Sequence, residues 1–330
     1  MLLATVMNVD GSVYRGAGAR MVVSMSGETS GGVSGGCLEA DVIARAPDIV
    51  AMGKCELVRY DTRAGDDVVL GLGLGCQGVI DVLLEPLGGS RLLEATEFYA
   101  RLGAHREPVT LLTLVSDHAG DALGARALVN ADGQLLEGDP ALLALDAGVA
   151  REQVRPAIPL VICGGGSDAI PLAALAKSMG WHVTVVDHRQ GFATASRFPA
   201  ADHVVCANVT DGSSSLASQV SLDHRTVAVS MAHSAAHDRA YLHALLDAGA
   251  CYIGVLGPRR RTLELLGGRI TNAQLPSSVF SPIGLDTGAE TPDEIALSIV
   301  AEIAAVMSGR DGGHLRNRTG PIHERERPLP

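Results

Sequence analysis

Apolar residues recur in short runs along the first 150 positions, or alternate with polar residues, and this pattern is typical of β-strands. Gly, Asp, Asn and Ser stand between the runs, as they do in turns. Helical spacing of apolar residues predicts two helices in this half, at 38–52 and 92–102. The predicted strands cover residues 2–6, 20–25, 68–70, 78–84, 109–115 and 125–129.

The first half also contains a weak internal repeat, in residues 3–27 and 112–133. Each segment has a Thr in its first strand, then Gly-Ala-Arg, and a Gly seven residues after that Arg. We therefore expect two strand–loop–strand units of one kind, paired in one sheet. The alternative is a coincidental likeness between two ordinary hairpins.

Residues 131–157 break this pattern with a polar turn, a short helix-like stretch and Arg155-Pro156, which together indicate a linker. From Ile158 onward, strands and helices alternate at the spacing of βαβ units, which predicts a parallel sheet. The expected strands are 159–163, 183–187, 203–207, 226–231 and 252–256, and the expected helices are 171–179 and 236–248.

A last long helix has the clearest start signal in the chain. Thr291 is placed to cap it, with Pro292 at the first helical position and Glu294 completing a capping box. The apolar spacing carries this helix to about Met307. The polar, basic tail at 309–330 is expected to be poorly ordered.

The length of 330 residues fits two domains, which the change of pattern places at 1–150 and 157–308. The formal net charge is −11 and no basic stripe interleaves with aromatic residues, which argues against a nucleic-acid partner. No apolar run reaches the roughly 18 residues of a membrane helix, and the N-terminus has no secretion-signal pattern. The six cysteines are scattered without a CxxC pair, which favours reduced thiols, a cytoplasmic location and no structural zinc. A homodimer is the default assembly.

The run GGGSDA at 164–169 follows an apolar strand and opens a helix, as the glycine fingerprint of dinucleotide-binding folds does. Gly164 allows the tight turn, Gly166 lets the backbone approach a pyrophosphate, and the small Ala169 permits close packing of helix and strand. Asp187 stands 21 residues past Gly166, where a carboxylate takes ribose hydroxyls. It favours a free 2′-hydroxyl, although Arg189 nearby blurs the choice between NAD and NADP. The alternative is a Rossmann fold without a ligand.

Two later loops follow predicted strands and so lie at the edge where such sheets bind ligands. In the loop at 233–238, His233 is a candidate proton donor or ligand, or a structural histidine. The loop at 254–261 contains Gly257 and three arginines, which either bind phosphate or form a solvated helix start. The predicted nucleotide-binding residues are Gly164, Gly165, Gly166, Ser167, Asp168, Asp187, Arg189, His233 and Gly257.

The first half carries a different motif, SGGCLE at 34–39, just before the first predicted helix. Its two glycines would present backbone N–H groups to an anion. Cys37 would lie at the helix N-terminus, where the dipole favours a thiolate. A second glycine-rich loop at 71–78 carries Cys76. The alternative for each cysteine is a small buried apolar residue.

At these residues the sequence resembles the XdhC/CoxI family, the accessory factors of xanthine dehydrogenase and carbon monoxide dehydrogenase. The resemblance extends over nearly the whole chain. Its marks are Gly-Ala-Arg at 18–20, SGGCLE at 34–39, GCQG at 75–78, VTVVDHR at 183–189, RFPAAD at 197–202, YIGVLGPRRR at 252–261 and SPIGLDTGAETPDEIALSIVAEI at 281–303.

The resemblance implies an α/β protein, with a small mixed α+β N-terminal domain followed by a Rossmann-like, doubly wound parallel-sheet domain. It implies that the chain transiently binds molybdenum cofactor, protects its sulfurated form and helps to insert it into a molybdenum hydroxylase apoenzyme, with a cysteine desulfurase as a further partner. A soft thiolate suits a molybdenum–sulfur centre. The residues that the resemblance places at the cofactor are Ser34, Gly35, Gly36, Cys37, Cys76 and Gln77.

The chain departs from the family at three places. The first strand begins almost at Met1, whereas the family has a preceding helix, so the native N-terminus is expected upstream or the domain is trimmed. Tyr14-Arg15 replaces Pro-Arg, and Ser167 replaces a histidine, which weakens a catalytic role at that position.

Two other functions stay open from the sequence. One is an NAD(P)-dependent oxidoreductase with His233 as acid or base, although no Lys/Tyr or Asp/His relay stands at a recognisable spacing. The other is a non-catalytic module that senses a nucleotide and docks to a hydroxylase. The Gly-Gly-Cys motif has no purpose in a plain dehydrogenase, so a role other than an enzyme is favoured.

Overall fold

The computed structural model describes residues 1–61, 77–116, 119–209, 214–269 and 274–319. The chain forms two units, residues 1–156 and 157–330. None of the described helices is both long enough and apolar enough to cross a membrane.

Two antiparallel sheets and two α-helices make up the described part of the first unit. The larger sheet runs in the order β3 (Thr29–Gly31), β2 (Arg20–Val23), β1 (Leu2–Ser12), β5 (Gln77–Pro86) and β4 (Glu56–Asp61). The smaller sheet runs in the order β8 (Leu135–Gly138), β7 (Arg126–Val129), β6 (Val109–Leu114) and β9 (Val149–Val154). The helices are α1 (Glu39–Met52) and α2 (Ser90–Ala104), with 3-10 turns at Gly120–Ala122 and Pro140–Ala144.

The core of the larger sheet lies between its strands and α1. Alternate residues of β1, Leu2, Ala4 and Val6, are buried against the same cluster as Val42 and Ile49 of α1. Alternation puts one face of β1 toward the helix, and the period of α1 places its apolar side chains on one stripe.

The two repeat segments form equivalent hairpins, β1–β2 and β6–β7. Thr5 faces Arg20 across the first, and Thr113 faces Arg126 across the second. The two hairpins lie in different sheets, so the prediction that they pair in one sheet is wrong. Each hairpin takes its next partner from elsewhere, because β5 pairs with β1 and β9 pairs with β6.

Two ion pairs cross between these sheets. Arg20 of β2 bonds Glu152 of β9 at 2.6 Å, and Arg126 of β7 bonds Glu85 of β5 at 2.5 Å. Both arginines lie over the ring of Tyr99 in α2. Burial raises the pKa of Glu85 even though the Arg126 charge opposes this. Each hairpin thus sends its arginine to a carboxylate on the strand that flanks the other hairpin.

The prediction of a linker at 131–157 is wrong, because these residues include β8, a 3-10 turn and β9. Strand β9 pairs with β6 along its length, from Val109↔Val154 to Leu114↔Val149. Its residues alternate between half-buried and exposed, so it has no apolar run that periodicity could detect. The short strands β3 and β4 were also missed, and the strand predicted at 68–70 lies outside the described residues.

The second unit has a six-stranded sheet, with the order β12-β11-β10-β13-β14-β15 and every neighbouring pair parallel. This is the doubly wound order 3-2-1-4-5-6, which confirms the expected fold class. The strands are β10 (Pro159–Cys163), β11 (His182–Asp187), β12 (His203–Cys206), β13 (Val227–Ser230), β14 (Tyr252–Val255) and β15 (Val279–Phe280). The helices are α3 (Ala169–Ser178), α4 (Ser214–Ala217), α5 (Ala235–Asp247), α6 (Arg259–Leu266) and α7 (Pro292–Met307).

Helices cover both faces of this sheet. Side chains of α3 and α7 share one buried cluster with the sheet, and side chains of α5 and α6 share the other. The predicted capping box is confirmed, since the Thr291 side chain accepts the Glu294 N–H and the Glu294 carboxylate accepts the Thr291 N–H. After α7, a 3-10 turn at Leu315–Asn317 lies within the tail that was expected to lack order.

Candidate functional site

The first candidate site is the loop at 32–38, between β3 and α1. Glu39, the first residue of α1, turns its carboxylate back into this loop. Its Oε1 accepts the N–H groups of Val33 at 3.2 Å and Ser34 at 2.8 Å. Its Oε2 accepts the N–H of Gly36 at 3.1 Å and the hydroxyl of Ser34. The chain therefore supplies its own anion to the loop, and the Gly36 N–H that was predicted for the cofactor is already bonded.

These bonds control the charge of Glu39. Burial by itself raises the pKa of this carboxyl, but the donors of Ser34 and Val33 outweigh burial, so the pKa is lowered. The Ser34 hydroxyl in turn accepts the N–H of Leu38 at 3.0 Å. Ser34 is buried, and both its N–H and its hydroxyl are bonded within this loop and to Glu39.

Two other donors of the loop stay open. Within the described part of the chain, the backbone N–H groups of Gly35 and Cys37 have no hydrogen-bond partner. Cys37 is half-buried and its side chain packs against the core beneath α1. The loop thus presents two free N–H groups and a thiol, which are donors suited to an anionic group or a soft metal–sulfur centre.

Tyr14 and Arg15 support the loop. The Nε–H of Arg15 donates to the Ser34 carbonyl at 3.1 Å. A Cβ on Gly35 would lie 3.2 Å from Tyr14 Cγ, so glycine permits this close approach. Tyr14 is 71% exposed, which leaves its ring open beside Cys37's loop. No carboxylate of the described chain lies within ion-pair distance of Arg15.

The second predicted thiol loop, at 71–78, falls largely outside the described residues. Cys76 is not among them, and only the backbone of Gln77 is described, at the start of β5. The role expected of both residues stays a prediction.

The second candidate site is the glycine loop after β10. The N–H of Gly164 donates to the Val186 carbonyl at 2.7 Å, and Gly164 has a φ of +122°. A Cβ there would lie 2.5 Å from the Met231 carbonyl oxygen. A Cβ on Gly165 would lie 2.8 Å from the Phe192 carbonyl oxygen. Both glycines are therefore required by the packing of the chain itself.

Asp187, at the end of β11, is fully buried and bonded through both oxygens. Oδ1 accepts the backbone N–H of Arg189 at 2.7 Å and its Nε–H at 2.9 Å. Oδ2 accepts the Gly165 N–H and the Arg189 Nη2–H, each at 2.7 Å. Burial alone would raise the pKa of Asp187, but the bonds from Arg189 and Gly165 lower it to about 2. The carboxylate expected to hold a ribose is saturated by the chain.

Three backbone donors of this loop have no partner in the described residues: the N–H groups of Gly166, Ser167 and Asp168, at the start of α3. Such groups face a pyrophosphate in dinucleotide-binding folds. A Cβ on Gly166 would lie 3.7 Å from His233 Cδ2, so the loops after β10 and β13 meet at the reversal of strand order. His233 has a φ of +55°, an unusual conformation for a non-glycine residue.

The three arginines at 259–261 differ in their contacts. Arg261 donates to the buried Asp238 at 2.5 Å, and this carboxylate also accepts the Ser230 hydroxyl and the Ala232 N–H, each at 2.9 Å. Gly257 has a φ of +112°, and a Cβ there would lie 3.6 Å from Arg261 Nη1. Arg261 is thus structural, and its neighbours are exposed at the start of α6.

A histidine pair at the same sheet edge was missed. The rings of His188 and His237 stack with centroids 3.6 Å apart. His237 Nδ1 lies 2.9 Å from the Ser234 hydroxyl, and its Nε2 lies 3.3 Å from Asn208 Oδ1. Burial, and then the neighbouring His188, lower the pKa of His237. The histidine in VTVVDHR was the available signal, but its partner comes from α5. Among the described residues, no three His, Cys, Asp or Glu side chains are arranged to hold a metal ion.

Comparison with known proteins gives consistent matches over both units. Residues 1–61 match the family model described as "XdhC and CoxI family", and residues 160–303 match the "XdhC Rossmann domain". The chain is 33% identical over 310 residues to a probable xanthine dehydrogenase subunit of Bacillus subtilis, covering 92% of each chain.

It is 28% identical over 312 residues to the "Molybdenum cofactor insertion chaperone PaoD" of Escherichia coli, covering 92% of this chain and 83% of that one. Among solved structures, a xanthine dehydrogenase crystal structure from Bacillus halodurans has a TM-score of 0.79 and 30% identity. That match covers 94% of this chain and 92% of the other.

Proposed function

The chain belongs to the XdhC and CoxI family, and from that premise we propose that it is an accessory protein of molybdenum hydroxylases. In this role it binds molybdenum cofactor as cargo, protects its sulfurated form and assists its insertion into an apoenzyme. The likeness to a molybdenum cofactor insertion chaperone over 92% of the chain supports this role.

The observation that carries the proposal is the loop fixed by Glu39. Its bonded donors hold the backbone in place, while the N–H groups of Gly35 and Cys37 have no partner in the described residues and the half-buried Cys37 thiol is in no disulfide. In our proposal the two N–H groups take a phosphate or oxo oxygen of the cofactor, and the thiol faces its molybdenum–sulfur centre. Ser34 and Gly36 shape the loop. Cys76 and Gln77 complete the site in the proposal, although their side chains are not described.

The second unit has an auxiliary part in this proposal. The free N–H groups of Gly166 and Ser167 support binding of the phosphate groups of a separate nucleotide, one whose ribose is not held by Asp187. His233 and Gly257 line the neighbouring loops. The occupied second unit would then report that cargo is loaded. The proposed partners are a hydroxylase apoenzyme, a cysteine desulfurase and a second copy of the chain, in the cytoplasm.

The test is an anaerobic titration of the reduced protein with isolated molybdenum cofactor. The wild type is expected to bind at micromolar concentration or tighter. Cys37→Ala should weaken binding by about tenfold or more. Cys55→Ala is the matched control, since Cys55 is a half-buried free thiol of the same unit. It should bind like the wild type.

The amount bound is read from the fluorescence of the released, oxidised pterin. Absence of binding by the wild type would contradict the proposed function. Equal binding by wild type and Cys37→Ala would keep the function but remove the site from the Cys37 loop.

A further inference from the structure

At the end of β11, a side chain of this protein occupies the place that a ribose takes in dinucleotide-binding folds. There, an acidic residue after the second strand accepts the ribose hydroxyls. Asp187 stands at that position, but Arg189 provides three of its four hydrogen bonds and Gly165 the fourth. Each oxygen of the Asp187 carboxylate therefore already accepts two hydrogen bonds from the chain.

Arg189 is held on more than one side. Its guanidinium carbon lies 3.7 Å from the centroid of the Phe192 ring. Arg197 lies over the same ring at 4.9 Å and donates to the Gly165 carbonyl at 3.2 Å. The Gly165 peptide is thereby fixed at both ends, by Asp187 at its N–H and by Arg197 at its oxygen. The segment after β11 thus closes the side of the loop where adenosine would enter.

The competition between a ribose and Arg189 is unequal. A ribose diol brings two neutral O–H donors to the carboxylate, whereas Arg189 brings a bidentate pair of donors that also carries the opposite charge. The pKa of Asp187, lowered to about 2, keeps the carboxylate ionised and paired at every physiological pH. To bind at Asp187, NAD would have to displace Arg189 from both the Asp187 carboxylate and the Phe192 ring.

We propose that Arg189 is the residue that sets ligand specificity in the second unit, by closing the ribose position on Asp187 to NAD. Removing the Arg189 side chain opens that position and turns the unit into an NAD site. This inference goes beyond the accessory role and holds whether or not the first unit binds molybdenum cofactor. It also separates the protein from the NAD-dependent oxidoreductases that its glycine loop resembles.

The experiment is a titration of NADH and NADPH, followed by fluorescence anisotropy of the reduced nicotinamide. The proteins are the full-length wild type, Arg189→Ala and Arg189→Leu. The Leu variant keeps the bulk over Phe192 without any side-chain donor. Arg197→Ala is the control, because it removes a guanidinium from the same ring without freeing Asp187. Thermal unfolding of each variant verifies that it is folded.

The wild type and Arg197→Ala are expected to bind neither nucleotide at submillimolar concentration. Arg189→Ala should bind NADH at least about tenfold more tightly than the wild type. It should discriminate against NADPH, because the exposed Asp187 carboxylate repels a 2′-phosphate. Adding Asp187→Asn should remove most of this gain.

Micromolar binding of NADH by the wild type would overturn the inference without any variant. Tight binding of NADPH by the wild type would also overturn it, since Arg189 would then read a 2′-phosphate. Folded Arg189→Ala and Arg189→Leu proteins that bind NADH no better than the wild type would do the same.

Discussion

Replacing Glu39 by alanine should loosen the Cys37 loop, and the structure sets the size of the effect. The carboxylate accepts the N–H groups of Val33, Ser34 and Gly36 and the Ser34 hydroxyl. Gly36 is exposed, so water replaces the carboxylate there. Val33 and Ser34 are buried, so their two backbone N–H groups stay unpaired, at about 1–3 kcal/mol each. We expect a loss of about 2–6 kcal/mol in the free energy of unfolding.

The assay is urea unfolding at pH 7, together with the titration of molybdenum cofactor. Glu39→Gln should fall between the wild type and Glu39→Ala, since its amide keeps one acceptor but turns an N–H toward the Gly36 donor. Asp48→Ala removes an exposed carboxylate of the same helix and should change stability by less than about 0.5 kcal/mol. Both Glu39 variants should also bind the cofactor more weakly, because the donors of Gly35 and Cys37 lose their fixed positions.

The pH dependence gives a second check. The folded-state pKa of Glu39 is lowered, so its contribution is complete above the ordinary glutamate pKa of about 4.3 and is lost as pH falls through the lowered value. The stability difference between wild type and Glu39→Ala should therefore shrink below pH 4.3. A difference that stays constant down to the acid transition, or an alanine variant as stable as Asp48→Ala, would refute the reasoning.

Two further predictions concern stability. Arg126→Ala should lower the free energy of unfolding, measured by urea titration, by about 3–5 kcal/mol, because it leaves the buried Glu85 carboxylate uncompensated. A loss below about 1 kcal/mol would show that Glu85 finds another partner or becomes protonated at no cost. Gly164→Ala should destabilise the second unit and lower its melting temperature, because the new Cβ meets the Met231 carbonyl at 2.5 Å and the φ of +122° disfavours alanine. Gly180→Ala, which meets no atom within 4 Å although its φ is also positive, separates the steric clash from the backbone strain.

The second unit was readable from the sequence because its central strands β10, β11, β13 and β14 are buried on both faces. Such strands form apolar runs such as 159–163, and their glycine and capping signals are local. In the first unit, β8 is mostly exposed and β9 alternates half-buried with exposed residues, so only their pairing with β7 and β6 defines them as strands. The repeat was detectable, but the assignment of its hairpins to separate sheets depends on β5 and β9, which lie outside the repeated segments.

The candidate sites, too, could be predicted only in part from the sequence. Spacing alone located the glycine loop, Asp187 and the Gly-Gly-Cys motif. It gave no sign that Glu39 fills the donors of its own loop, or that Arg189 holds Asp187. Both are contacts of a residue with a neighbour only two to six positions away, but they depend on how the chain turns. The sequence identifies which groups are near a site, whereas the fold decides which of them are still available.

In a two-fold dimer interface, residue i of one subunit contacts residue j of the other, and residue j of the first contacts residue i of the second. The two ion pairs between the sheets of the first unit have the same reciprocity. Here both halves belong to one chain, because Arg20 reaches Glu152 while Arg126 reaches Glu85. Separating the two sheets would leave all four of these charged side chains without their partners. A nascent chain completes both pairs only when β9 has left the ribosome, and a fragment that ends earlier leaves Arg20 without Glu152.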